Sequence, residues 1–129
     1  MTYGEATQFI TLYLKGDNSN AEPSAIHFKA ALQEVALRCE PDSLTLPYTG
    51  AETDVFRLLH PNDDGNRNYV RLPDVSDTLS DTDSLDIDEA LSLAVVFLVC
   101  SYLSNKRKEY FDAKADKVIG IYVSNQIPE

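Results

Sequence analysis

The chain has 129 residues and a mass of 14.4 kDa, and its 21 Asp and Glu against 11 Lys and Arg give a formal net charge of −10. Folding at this mass leaves roughly 7,000 Å² of surface from about 21,000 Å², enough burial for one ordinary core over residues 1–129. An apolar share of 43% excludes wholesale disorder, and a sequence pI near 4.5 excludes the surplus of positive charge that a phosphate-neutralising nucleic-acid binder needs.

Thr2 and Glu5 stand at capping-box spacing, and Ala6, Phe9, Ile10, Tyr13 and Leu14 behind them form one helical stripe. Gly16 offers a left-handed stop before the polar loop of residues 17–20. Pro23 fits the first position of a second helix, whose stripe is Ala25, Phe28, Leu32, Val35, Ala36 and Cys39, and Pro41 ends it.

Residues 42–73 read as an excursion from the helices. Residues 43–46 form a short extended piece between Pro41 and Pro47. The runs 54–60 and 68–72 flank the turn-rich 61–67, which predicts a β-hairpin with a long tip, a short helix for the first run being the competing reading. Pro73 stops the second strand. Asp63, Asp64, Arg67 and Tyr69 are then candidate docking residues of that hairpin.

Between 74 and 89 lie seven carboxylates and no basic residue. Self-repulsion predicts a solvated acidic connector over 74–85, with Asp86 capping a third helix over 87–103. That helix is apolar nearly all round, so neighbours must surround it. A fourth helix over 106–124 has the stripe Phe111, Ala115, Val118, Ile119 and Tyr122, and the region 106–117 carries five of the eleven basic residues. Asp112 and Asp116 alternate there with Lys114 and Lys117 at salt-bridging spacings. The fold class is mainly α, a four-helix bundle with a hairpin or extended excursion between the second and third helices.

Chemistry-bearing motifs are scarce. Cys39 and Cys100 sit among apolar helical neighbours and read as reduced core thiols. His27 and His60 lie at no ligand spacing to either cysteine or to each other. A calcium-loop register starting at Asp81 fails, with Asp86 where glycine belongs and Ser92 where the bidentate glutamate belongs. No phosphate cradle is formed by the five scattered glycines. No cofactor, metal or catalytic residue is therefore expected. The opening Met-Thr-Tyr-Gly-Glu has no signal-peptide character, and the longest apolar stretch, 90–103, is too short for a membrane span. A reducing, aqueous compartment is the expectation.

The second-helix segment 30–41, an excursion closing in Tyr-Val-Arg-Leu-Pro over 69–73, the acidic connector, and Leu-Asp-Ile-Asp-Glu-Ala-Leu over 85–91 opening an apolar helix that turns back through Lys106 to Phe111 form a recognisable order. This layout resembles the head–tail connector, or neck adaptor, proteins of tailed bacteriophages. The resemblance spans residues 2–123, but the short tail after Tyr122 lacks the long extension with which some members reach the portal. It implies a virion protein made in the host cytoplasm, a ring (a dodecamer when assembled) between portal and tail or stopper, with double-stranded DNA passing through unbound. An acidic wall repels DNA and lets it slide. Lys106, Arg107 and Lys108 facing Asp81, Asp83 and Asp86 of a neighbour are the candidate subunit contacts. The alternative is a small acidic interaction module such as a DNA-mimicking inhibitor, which needs carboxylates spread over one face instead of gathered in a connector.

Overall fold

The computed structural model describes residues 1–17 and 22–126. Residues 18–20 of the first loop and the tail 127–129 lie outside the described residues. The fold is mainly helical, with a small antiparallel sheet beside the helices rather than a clean four-helix bundle.

The first helix, α1 (Tyr3–Tyr13), opens on the expected capping box: Thr2 Oγ1 accepts from the Glu5 amide at 3.1 Å and Glu5 Oε1 accepts from the Thr2 amide at 3.0 Å. Gly16, at φ +83°, lets the chain turn away after it. The second helix, α2 (Ala25–Arg38), is capped by Ser24, whose amide donates to His27 Nδ1 at 3.0 Å, so Pro23 lies outside the helix and not at its first position. It ends two residues before Pro41 is reached, at the extended Cys39.

A 3₁₀ turn (Asp42–Leu44) replaces the first half of the predicted extended piece, and the second half is strand, in β1 (Thr45–Pro47). The predicted hairpin forms from β2 (Val55–Leu58) and β3 (Asn68–Arg71), and β1 pairs with the far side of β3, giving the order β1-β3-β2. Cross-strand partners share a face. Thr45, Val70 and Arg57 therefore lie on one face, and Leu46, Tyr69 and Leu58 on the other. A bulge at Phe56 separates the two registers.

The third long helix, α3 (Ser92–Leu103), begins five residues later than predicted, after a 3₁₀ turn (Glu89–Leu91). Asp86 is not its cap, because both carboxylate oxygens are held by Arg71. The last helix, α4 (Lys108–Gln126), begins after Ser104 Oγ has accepted the amides of Lys106 and Arg107. α1, α2 and α4 all pack on α3. The enclosure is incomplete: Leu93 remains 37% exposed, while Leu98 is 1% exposed. An aromatic row, Tyr13–Phe97–Phe111, with centroids 5.2 and 6.4 Å apart, links α1, α3 and α4. The sheet has its own smaller core of Ala36, Leu44 and Val70, with Phe56 and Leu59 packed against it.

A candidate assembly surface

The acidic and basic clusters are positioned by the two ends of α1. At its start, the Tyr3 amide donates to the Asp83 carbonyl at 2.9 Å and the Gly4 amide to the Asp81 carbonyl at 3.1 Å. A Cβ at Gly4 would stand 3.0 Å from that Asp81 oxygen, so glycine permits the close approach. The connector is therefore docked through its backbone and not held open by repulsion, while the Asp81 and Asp83 side chains remain exposed. Their position beside the amino end of α1 also suits its dipole.

At the other end of α1, Asp17 is buried and ties the α3–α4 turn to the helix. Its carboxylate accepts the Ser104 hydroxyl at 2.8 Å, the Asn105 amide at 2.8 Å and Arg107 Nε at 3.2 Å. The Asn105 amide, ahead of Ser104 and Arg107, holds the Asp17 carboxyl below its ordinary range. Arg107 also donates to the Tyr13 carbonyl at 2.7 Å and lies 4.9 Å over the Phe111 ring.

Of the six predicted interface residues, four are exposed and form no ion pair among the described residues: Lys106, Lys108, Asp81 and Asp83. Arg107 is an internal clamp. Lys108 Nζ donates to the Ser101 and Tyr102 carbonyls at 3.2 and 3.1 Å, closing the end of α3. Asp86 takes Arg71 at 2.5 and 2.7 Å and the Asp74 amide at 2.7 Å, and the Arg71 hydrogen bond is the main cause of its lowered pKa. The expected Asp112 and Asp116 pairing with lysines of their own helix is replaced by Arg38 of α2, at 2.9 and 2.6 Å.

The predicted docking hairpin divides similarly. Asp63 is exposed at the tip, Asp64 accepts the Asn66 amide at 2.9 Å, and Arg67 Nε donates to the Leu59 carbonyl at 2.6 Å, bracing the loop. Tyr69 is no docking residue: it is 3% exposed, and its hydroxyl donates to Asp54 at 2.9 Å. β3 is central in the sheet, so both of its edges are paired, and the Tyr48 ring lies 6.1 Å from that of Tyr69.

All five arginines (Arg38, Arg57, Arg67, Arg71 and Arg107) hold internal carboxylates or carbonyls, whereas Lys15, Lys29, Lys106 and Lys117 are exposed. The forked guanidinium suits such fixed bonding, and the strongly hydrated ammonium suits the surface. Exposed Lys15 and Lys106 therefore flank the carboxyl end of α1, and Asp81 and Asp83 its amino end. The 11 residues of α1 set these poles about 16 Å apart.

A groove of about 520 Å³ between α1 and the connector is lined by Tyr3, Arg71, Asp74, Asp83 and Asp86, with Arg71 already bound to Asp86. Among the described residues, no group of three His, Cys, Asp or Glu side chains is placed to hold a metal ion. No helix among them is long and apolar enough to cross a membrane. Compared with known proteins, the chain matches no family model, no curated protein and no solved structure.

Proposed function

We propose that the chain is a structural subunit of a tailed-phage neck, an adaptor that assembles into a ring between portal and tail or stopper and lines part of the DNA conduit. Its role on this reading is assembly, without catalysis. The order of elements that suggested the resemblance stands beside the observation that carries the reading: opposite charge at opposite ends of α1. A head-to-tail contact between copies presents one pole to the other, and such heterologous contacts form a ring where the rotation between copies closes. Single exposed ion pairs contribute little, about 0.2–1 kcal/mol each. Exposed apolar side chains, among them Leu12, Ile26, Leu37 and Ile121, supply surface for the rest of the contact.

Charge reversal tests it. Lys15→Glu with Lys106→Glu should reduce incorporation of the tagged subunit into portal-containing particles, and adding Asp81→Lys with Asp83→Lys should restore it. Full incorporation of the lysine variant would remove the polar head-to-tail contact. Arg107 is left intact in this test, because its loss would strip a buried carboxylate of a partner.

A further inference from the structure

Both ends of the excursion are gripped by one short segment ahead of α3. At the exit, Asp86 holds the Arg71 guanidinium and the Asp74 amide. At the entry, Asp88 accepts the Asp42 amide at 3.0 Å, the Ser43 amide at 2.8 Å and the Tyr122 hydroxyl of α4. Ile87, between them, is buried in the main core, which anchors the segment to the helices.

The excursion also holds itself together. Its backbone closes on itself through Tyr48 to Arg67 at 2.8 Å, Leu59 to Asn68 at 3.1 Å and Leu72 to Asp54 at 2.7 Å. Its small core draws the buried Ala36 from α2 and the rest from the excursion itself. Further polar ties run from Gln126 Nε2 of α4 to Asp42 Oδ1 at 3.1 Å, from the Asp42 amide to the Tyr122 hydroxyl at 2.8 Å, and from the Thr45 hydroxyl to the Pro41 carbonyl at 2.8 Å. Arg57 donates to the Ala36 carbonyl at 2.9 Å and the Cys39 carbonyl at 2.7 Å, at the end of α2. Hydrogen bonds to partly exposed carboxylates can be exchanged for water a few at a time, whereas apolar cores open as units.

We propose that residues 42–73 form a hinged arm, latched to the helical body by Asp86 and Asp88 and pivoting where Arg57 grips the end of α2. Opening the latch frees the arm to swing as a unit, with sheet and bundle both intact. This holds whatever particle the chain serves.

The test is a distance measurement on the full chain. Cysteines at Asp63→Cys on the arm and Lys117→Cys on α4 carry spin labels, the native Cys39 and Cys100 being buried. Asp86→Asn with Asp88→Asn should at least double the width of the label-to-label distance distribution. Native-state amide exchange controls for unfolding. Leu59 and Leu72 within the arm, and Ser104 in the body, should change less than twofold, while Asp42, Ser43 and Asp74 exchange roughly tenfold faster. An unchanged distribution would overturn the proposal, as would joint acceleration of arm and body amides. Should the double variant fail to fold, Tyr122→Phe weakens the latch while keeping the ring in the core. It should broaden the distribution less, and a distribution identical to that of the unsubstituted chain would overturn the proposal equally.

Discussion

Leu98 and Leu93 lie on the same helix, and truncating each to alanine measures how far α3 is enclosed. The change removes the equivalent of about three methylene groups, roughly 2.4 kcal/mol of transfer free energy when all of them are buried. Leu98 is 1% exposed inside the main core, so an unrelaxed cavity adds to this and the total should reach about 3–4 kcal/mol. Leu93 is 37% exposed. Under two-thirds of its area leaves water on folding, and its removal opens a notch to solvent instead of a sealed cavity, so about 1.5 kcal/mol is expected. Urea unfolding followed by far-UV circular dichroism, on dilute protein, gives both values. For a chain of this size the 2 kcal/mol gap corresponds to a difference in Tm of roughly 8 °C. Equal losses at the two positions would refute the placement of α3 at the centre with one open side.

Acid unfolding should follow the carboxylates held by internal donors. Asp86 is lowered from its ordinary 3.8 chiefly by Arg71, and Asp17 chiefly by the Asn105 amide. A carboxyl depressed in the folded state contributes stability that is present above its unfolded pKa and is lost as pH falls through the folded value. Stability should therefore hold from neutral pH down to about pH 4 and drop below it, with a shallower drop in Asp86→Asn, as read by circular dichroism across pH. Thr2→Ala removes the cap of α1 and should cost about 1 kcal/mol in urea unfolding. Burial pushes the Cys39 thiol up to about 11 and Cys100 up to about 12. Both should resist alkylation at neutral pH in the native protein and react readily in urea, a contrast that mass spectrometry reads directly.

What could be read from the sequence was the local chemistry. Thr2 and Glu5 are three residues apart and cap each other, Gly16 takes a positive φ, and the turn-rich 61–67 brings β2 onto β3. What could not be read depends on partners far along the chain. Arg107 lies in a run of three basic residues and reads as surface, yet its carboxylate is 90 positions away at Asp17. Asp86 has the spacing of a helix cap, but a guanidinium from the excursion competes for it, and α3 starts later as a result. Tyr69 reads as an exposed hairpin residue because β1, pairing on the far side of β3, carries little strand signal of its own. Asp17 gave no signal at all: an aspartate after a helix-ending glycine is ordinary loop chemistry until Ser104 and Asn105 close over it.

The neck assignment is tested most directly by recovering the tagged chain from its native source, identifying its partners by mass spectrometry and imaging the eluate by negative stain. The account predicts portal and tail or stopper proteins together with ring-shaped or particle-attached density. A stoichiometric soluble complex with a nuclease or a transcription factor, free of rings, would contradict it and identify the chain as an acidic mimic.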